Sequence, residues 1–389
     1  MRRMDLRDSP EEAEFRAGLR DWLARSVPAA AGPDGAPPQG RWGDIAAVRA
    51  FTSALHAAGY AGITWPAEHG GRGLSPVYQA IYLEETARAE AAEHIGVIGL
   101  GMVGPTIIAC GSPEQRGWYL PRILSGEIVF CQGFSEPEAG SDLSAVRTVA
   151  RREGDELVVT GRKVWSSYAH LADHCLLLAR TDPQEKRHRG LSCLLVDLRS
   201  PGVTVRPIRQ MTGEAEFAEI EFDEVRVPVD AVVGGIGDGW RVAMTTLAHE
   251  RGTFGFTLTA RLEVAFRRLV ATARARGRDG DPLVRDEIAA RYVELEGLRW
   301  TNRRALAELA RTGVPGPETS VIKLRWSQAH QRLTTLAVRL LAGGGEPDGW
   351  DRYWQHQMLR SRANTIEGGT SEVLRNVVAE RVLGLPRSY

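Results

Sequence analysis

The chain has 389 residues, of which 43% are hydrophobic, so it can bury a large core, and its length indicates two or three domains. Its 49 basic and 49 acidic residues give a net charge of +0, which does not favour binding to nucleic acid or to an anionic membrane surface. No apolar run approaches the roughly 20 residues of a membrane span, and the charged first residues lack the apolar core of a signal peptide. We therefore expect no nucleic-acid partner, no membrane span and no secretory signal.

The cysteines are scattered through the chain and show no CxxC spacing: Cys110, Cys131, Cys175 and Cys193. This distribution predicts reduced packing residues in a cytoplasmic protein. No group of His, Cys and carboxylate residues has the spacing of metal ligands, so we expect no metal site.

Apolar residues recur at helical spacing over 10–27, 44–58, 76–93, 96–109 and 113–125. From about Ile128, short apolar or alternating segments separated by turn residues are typical of an antiparallel β domain. Long amphipathic segments return from Trp240. This order predicts an α+β chain with an N-terminal helical domain over 1–127, a middle antiparallel β barrel or sandwich over 128–235 and a C-terminal helical bundle over 236–389.

The sequence GLGMVG at residues 99–104 satisfies the GxGxxG pattern. That pattern indicates a dinucleotide-binding fold only where it joins a strand to a helix within a βαβ unit. Here helical patterns lie on both sides and no parallel-strand pattern follows. We expect these glycines to allow close approach of helices or of an acyl chain instead.

The tract FCQGFSEPEAGSDLSAVRT, residues 130–148, is rich in turn residues. Gly140 allows the backbone to approach a ligand closely. The hydroxyls of Ser135 and Ser141, with neighbouring backbone N–H groups, suit phosphates and the edges of heterocycles. A long surface turn is the alternative interpretation.

A second informative segment is GRKVWSSYAHLADH, residues 161–174, within the predicted β domain. Trp165 followed by small hydroxyl residues could form a wall against a flat ring. The alternative is a buried core tryptophan beside surface serines, which is the more usual setting of a single Trp.

Both segments resemble flavin-binding signatures of the acyl-CoA dehydrogenases, and the resemblance in element order covers nearly the whole chain. It implies the acyl-CoA dehydrogenase fold, FAD as cofactor, and oxidation of an acyl-CoA or acyl-carrier thioester to the 2-enoyl thioester. In that reaction a carboxylate removes the α proton, and flavin N5 accepts a hydride from the β carbon. The resemblance implies flavin contacts from Gln132, Phe134, Ser135, Trp165 and Ser167, and places Ser141 near the FAD pyrophosphate and the acyl-CoA.

The position of the catalytic base departs from the common family pattern. Many members place this Glu in a loop that ends in Glu-Gly-Thr, but counting back from Thr370 puts Gly368 at that position and Glu367 one residue away. Some members, including those acting on branched acyl chains, carry the base on the helix after the β domain, just before an Arg. Glu250, followed by Arg251, matches that second position.

Helical spacing supports the second position independently of the resemblance. Glu250 falls on the same predicted stripe as the apolar residues Ala243, Leu247, Phe254 and Leu258. A lone carboxylate in an apolar stripe is costly unless it is paired or functional. We predict Glu250 as the base and Arg251 as a contact of the thioester or CoA. The alternatives are Glu367 as the base, no base in this subunit, or an ion pair of Glu250 with an Arg across a helix interface.

Several C-terminal positions resemble the rest of the family's FAD site. Thr370 and Glu372 match an adenine-side contact, and Arg339 and Gly343 match positions near the FAD of a neighbouring subunit; helix capping and surface polarity are the alternatives. The family motif Arg-x-Thr-Phe-Gly is replaced here by ARARGRDGDPLVRDEIA. Its Arg could be replaced by Arg276, Arg278 or Arg285.

The resemblance also implies partners: an electron-transfer flavoprotein or a similar acceptor, and assembly as a homodimer or homotetramer, with a heteromer as the alternative. The helix position of the base points to a branched or bulky acyl group. Two other functions are compatible with this fold. One is a flavin monooxygenase, which needs no Glu; the other is a base-less partner subunit of a heteromeric dehydrogenase, suggested by Gly368 and the missing Arg-x-Thr-Phe-Gly.

Overall fold

The structure is a computed structural model that describes residues 7–27, 45–92, 94–185, 187–251, 254–313, 315–317, 319–341 and 349–387, with backbone only at 250, 251 and 254. The chain forms two compact units. The sheet unit comprises residues 44–72 and 93–250, and the helical unit comprises 1–43, 73–92 and 251–389.

The helices occur in two blocks of the chain that flank the strands: α1 Pro10–Ser26, α2 Ile45–Ala57, α3 Pro76–Arg88, α4 Gly104–Cys110, α5 Pro113–Ser125, α6 Gly239–Arg251, α7 Phe254–Ala275, α8 Pro282–Thr312, α9 Thr319–Leu341, α10 Gly349–Ser361 and α11 Ser371–Val377. The strands lie between α5 and α6: β1 Phe130–Gly133, β2 Val149–Glu153, β3 Glu156–Ser167, β4 His174–Arg180, β5 Leu191–Asp197, β6 Val203–Ile208, β7 Phe217–Pro228 and β8 Val232–Val233. The predicted order of helices, sheet and helices is confirmed. The predicted domain boundaries stay predictions.

The strands form one sheet in the order β6-β7-β3-β2-β4-β5-β8, with β1 paired to β4. Pairing is mainly antiparallel, as predicted, but β4 pairs in parallel with both β1 and β2. β4 and β5 are buried along nearly their whole length, which explains their continuous apolar sequence, whereas the first half of β7 alternates between buried and half-buried residues. Apolar side chains of the sheet core include Leu157, Val159, Leu177, Leu194 and Phe222.

The GLGMVG segment of the sheet unit is helical. Residues Gly99–Val103 form a π-helical turn that runs directly into α4. No strand precedes it in the described part of the chain, where α2 and α3 come before it. The prediction that this motif is not a dinucleotide-binding turn is therefore confirmed.

The helical unit has its own apolar core between α7, α8, α9 and α10. Leu262, Leu269, Leu298, Leu333 and Trp354 are among its buried members. Local signals in the sequence fix the helix ends: Ser9 and Glu12 form a capping box at the start of α1, and Asp281 caps α8 just before a proline.

The segment predicted as an amphipathic helix near 240–275 is helical over the residues that the structure describes, Gly239–Arg251 and Phe254–Ala275. Residues 252 and 253 between these two ranges lie outside the described residues. The predicted apolar stripe through Glu250 therefore stays a prediction.

Among the described residues, none of the helices is both long and apolar enough to cross a membrane. Within the same residues, no group of three or more His, Cys, Asp or Glu side chains is arranged to hold a metal ion.

Candidate active site

The 130–148 tract begins as a strand and not as a loop. Its first four residues form β1, which ends at Gly133, and the buried Phe134 follows. The backbone N–H of Val164 in β3 donates to the carbonyl oxygen of Ser135 at 3.0 Å. The two segments that the sequence singles out are therefore direct neighbours in the sheet unit.

A β-bulge in β3 directs Trp165 out of the sheet. The register of β3 with β7 shifts between Lys163 and Ser166, and both of these residues are buried. Strict alternation would put residue 165 on the same side as residue 163. Instead Trp165 has a φ of 61° and its side chain is 58% exposed, with an edge-to-face contact to Phe217. The alternative of a buried core tryptophan is wrong.

Four polar side chains of these two segments have no hydrogen-bond partner among the described residues. No hydrogen bond between described residues engages the side chains of Gln132, Ser135, Ser141 or Ser167. Each of these side chains is at least partly accessible. An aromatic face beside free hydroxyl and amide groups fits a planar heterocycle with a polar edge, such as a flavin.

A buried ion pair between the tract and β3, formed by Glu136 and Lys163, was not predicted from the sequence. The completely buried Lys163 has its Nζ 2.8 Å from Glu136 Oε1 and 3.0 Å from the carbonyl oxygen of Phe134. Burial acts to raise the pKa of Glu136, but Lys163 and hydrogen bonds to the carboxylate outweigh it and hold that pKa below its ordinary value. Burial lowers the pKa of Lys163, and the Glu136 carboxylate offsets part of that effect. Lys163 is one of only three lysines in the chain, and it lies inside a strand. This is the signal that could have revealed the pair.

Residues 363–370, the loop that contains the usual base position of the family, are hydrogen-bonded to α9. Lys323 Nζ donates to the carbonyl oxygens of Asn364 at 2.7 Å and Gly369 at 2.8 Å. Gly368 and Gly369 both have positive φ values, 58° and 93°. This conformation favours glycine, so a glutamate at residue 368 would be strained in this loop.

Glu367 is held by an arginine. Its two carboxylate oxygens accept hydrogen bonds from the guanidinium of Arg360 at 3.3 and 3.0 Å. The pair is partly buried, with 32% of the Glu367 side chain exposed. The guanidinium thus occupies one acceptor site on each carboxylate oxygen.

Glu250 lies in the last turn of α6, and its side chain and that of Arg251 are outside the described atoms. Earlier in α6, Ala243 and Thr246 are completely buried, and Thr246 Oγ1 lies 3.0 Å from Thr106 Oγ1 of α4. The predicted role of Glu250 stays a prediction.

The predicted adenine-side residues have local partners. Thr370 caps α11 by accepting a hydrogen bond from the backbone N–H of Val373 at 3.2 Å. Glu372 is exposed and pairs with Arg375 at 3.1 Å. These contacts match the capping and surface alternatives, and they leave the predicted cofactor roles as predictions.

Arg339 lies in an arginine-rich cleft of the helical unit. Its guanidinium pairs with both oxygens of Glu287 at 3.0 Å. The cleft has a volume of about 340 Å³, and its cationic lining also includes Arg291, Arg332 and Arg362. Gly343, the other residue predicted at this position, lies outside the described residues.

The candidate replacements for the missing family arginine differ in their contacts. Arg276 donates to Asp351 at 2.8 Å, and Arg278 to Asp281 at 3.1 Å. Arg285, in the first turn of α8, is exposed, and no ion pair links it to another described residue. The choice among these three arginines stays open.

Three domain models together cover most of the chain. The N-terminal, middle and C-terminal domains of the acyl-CoA dehydrogenases match residues 9–127, 131–225 and 237–383. The chain therefore belongs to the acyl-CoA dehydrogenase family, a family of flavoprotein oxidoreductases.

Individual relatives extend over nearly the whole chain. It is 45% identical over 381 residues to acyl-CoA dehydrogenase IpdE1 of Mycobacterium tuberculosis, covering 96% of this chain and 98% of that protein. A solved structure described as the Tcur3481-Tcur3483 steroid ACAD is 33% identical with a TM-score of 0.88, over 99% of this chain and 100% of that one. A chain in the structure of the ChsE4-ChsE5 complex from Mycobacterium tuberculosis is 30% identical, with a TM-score of 0.84. The match covers 99% of this chain and 100% of that one.

Proposed function

We propose that this protein catalyses the FAD-dependent α,β-dehydrogenation of an acyl-CoA or acyl-carrier thioester to the 2-enoyl thioester. The observation that carries the proposal is the exposed indole of Trp165, turned outward by a bulge and placed beside Ser135 and Ser167. FAD bound there would supply the two-electron acceptor. The indole would lie along the flavin ring, and the serine hydroxyls and Gln132 would bind its polar edge.

The proposed base is Glu250. Glu250 lies on α6 directly before Arg251, the arrangement that matches the second base position of the family. Glu367, the alternative, is neutralised by Arg360, and residue 368 is a glycine in a left-handed conformation. Arg251, the next residue, would hold the thioester or the CoA.

Further FAD contacts are proposed for the C-terminal residues that the family resemblance implies. Thr370 and Glu372 would contact the adenine side. The cleft around Arg339 is lined by four arginines, of which Arg339 pairs with Glu287, and Arg291 and Arg332 pair with Glu294. We propose that Arg339 lies near the FAD of a neighbouring subunit, and that Arg276, Arg278 or Arg285 takes over the role of the missing Arg-x-Thr-Phe-Gly motif.

The proposed substrate carries a bulky, ring-containing acyl group. A structural relative is described as a steroid ACAD, and the base on α6 matches family members that act on branched chains. The electrons would leave through an electron-transfer flavoprotein or a similar acceptor.

Assembly is either homomeric or heteromeric. One structural relative is a complex of two named chains, ChsE4 and ChsE5. Gly368 motivates the heteromeric alternative, because the usual base is absent from this loop. In a heteromer, the partner chain would supply the base instead. Measuring the particle size with and without a co-expressed homologous chain decides between them, and a yellow, active homotetramer would exclude the base-less partner function.

The dehydrogenase proposal is tested with purified protein under anaerobic conditions. We expect bound FAD to be retained and to be bleached by acyl-CoA thioesters, more strongly by ring-bearing than by straight-chain substrates. A requirement for NADH-supplied free flavin and oxygen, with no bleaching by any thioester, would contradict it and favour the monooxygenase alternative.

A further inference from the structure

The buried Lys163 joins the two segments of the candidate flavin site. It lies in β3, two residues before Trp165, and its Nζ donates to the carbonyl oxygen of Phe134 and to Glu136 Oε1. The backbone of Val164 adds a third bond to the same stretch, at Ser135. One ammonium group therefore sets the position of the 130–148 tract relative to the exposed indole.

Glu136 in turn closes the rest of the tract into a loop. Its carboxylate accepts the backbone N–H groups of Arg147 at 2.7 Å and Thr148 at 2.9 Å, eleven and twelve residues further along the chain. A tight turn, in which the backbone groups of Glu136 and Ala139 bond to each other at 3.0 and 3.1 Å, starts the loop. The loop tip carries the exposed Ser141.

Stability alone does not require an ion pair at this place. Removing two charges from water costs as much as their attraction returns, and apolar residues of similar volume often replace such pairs without loss. What an apolar pair cannot supply is the set of directed bonds to the Phe134 carbonyl and to the two amides at Arg147 and Thr148. The pair is thus suited to fix geometry and not to add stability.

We propose that Glu136 and Lys163 are positioning residues of the flavin site, which hold Phe134, Ser135 and Ser141 in the arrangement that binds the cofactor; this rests on the function proposed above. Neither side chain touches the cofactor itself. Both side chains are buried: that of Lys163 is 0% exposed and that of Glu136 is 8% exposed.

The test compares the double variant Glu136→Leu/Lys163→Met with the wild type and with Arg226→Met as a matched control. Arg226 lies on the neighbouring strand β7, and its exposed side chain pairs with Glu156 and Glu153. Two quantities are measured on the apo-protein: the thermal midpoint, and amide hydrogen exchange of the peptide covering residues 134–148. The dissociation constant for FAD is measured by quenching of flavin fluorescence.

We expect the double variant to keep a thermal midpoint close to that of the wild type. Its tract should exchange about tenfold faster or more, and its FAD dissociation constant should rise about tenfold or more, the factor for losing hydrogen bonds to a charged group. The control should change none of these quantities. A double variant with wild-type exchange in the tract and wild-type FAD affinity would overturn the proposal.

Glu136→Gln provides a second, milder variant in case the double variant does not fold. It keeps the shape of the side chain but removes its charge, and we expect the same direction of change in exchange and in FAD affinity; no change in either would again overturn the proposal. Wild-type protein that binds no FAD would contradict the proposed function instead. The exchange measurement would then still decide whether the pair orders the tract.

Discussion

Trp165 combines two features that folding alone does not favour. A large indole is 58% exposed, and its backbone has a φ of 61°, a conformation that costs on the order of 1 kcal/mol or more for a residue with a side chain. The bulge in β3 maintains this conformation, since Lys163 and Ser166 on either side of it are buried. An exposed aromatic held in a strained backbone is typical of a binding surface.

We therefore expect Trp165→Ala to separate binding from stability. The free energy of unfolding should change by no more than about 0.5 kcal/mol, because the ring is largely in solvent. The FAD dissociation constant should rise about tenfold through loss of the ring face. Trp118→Ala, which removes another exposed tryptophan of the sheet unit, is the control in fluorescence titration. Equal losses of affinity in both variants would contradict the role of Trp165.

At the scale of elements, the glycines of the 99–104 segment have different packing. A Cβ on Gly104, at the start of α4, would lie 2.2 Å from a ring carbon of Trp65. A Cβ on Gly101 would have no neighbour within 4 Å. The π-helical turn and α4 can approach Trp65 only because residue 104 lacks a side chain.

Alanine substitutions at these two glycines should have opposite effects. Gly104→Ala should lower the free energy of unfolding by about 2 kcal/mol, since the indole of Trp65 must move. Gly101→Ala should be neutral or raise that free energy by up to about 0.8 kcal/mol, because alanine favours helical backbone. Urea denaturation followed by circular dichroism measures both. Destabilisation by Gly101→Ala as large as by Gly104→Ala would show that the packing described here is incorrect.

The elements themselves follow from local patterns in the sequence. Apolar periodicity predicts most of the helices to within a few residues, and the turn-separated apolar segments predict the β domain but not the ends of its strands. The 130–148 tract indicates a cofactor-binding segment. The bulge at Trp165 could not be predicted, because it depends on the pairing of β3 with β7, more than 50 residues away. The Glu136–Lys163 pair likewise joins residues 27 positions apart.

At the scale of the whole molecule, buried histidines make stability depend on pH. His94 in the sheet unit is 3% exposed; its Nδ1 accepts the backbone N–H of Gly96 at 3.0 Å, and its Nε2 faces the carbonyl oxygen of Leu124 at 3.1 Å. Burial lowers the pKa of His94 to about 4. Protonation would remove the acceptor that Gly96 uses, so the folded protein keeps this ring neutral.

Stability should therefore decrease as the pH falls below neutrality. The contribution of His94 is complete above its unfolded pKa of 6.5 and is lost as the pH falls from there to about 4, in total about 3 kcal/mol. Urea denaturation at pH values from 7.5 to about 4 measures the slope, which should be smaller for His94→Gln. An equal slope in the variant and the wild type would contradict the assignment to His94.

Proton abstraction by a glutamate on α6 is the central claim, and one comparison tests it directly. Wild type, Glu250→Gln and Glu367→Gln, each loaded with FAD, are mixed anaerobically with the acyl thioester that bleaches the wild type best, and the rate of bleaching is recorded. We predict that Glu250→Gln loses a factor of about 1,000 in rate while still binding FAD, and that Glu367→Gln stays close to the wild type. Loss of bleaching in Glu367→Gln, with Glu250→Gln unaffected, would contradict the account.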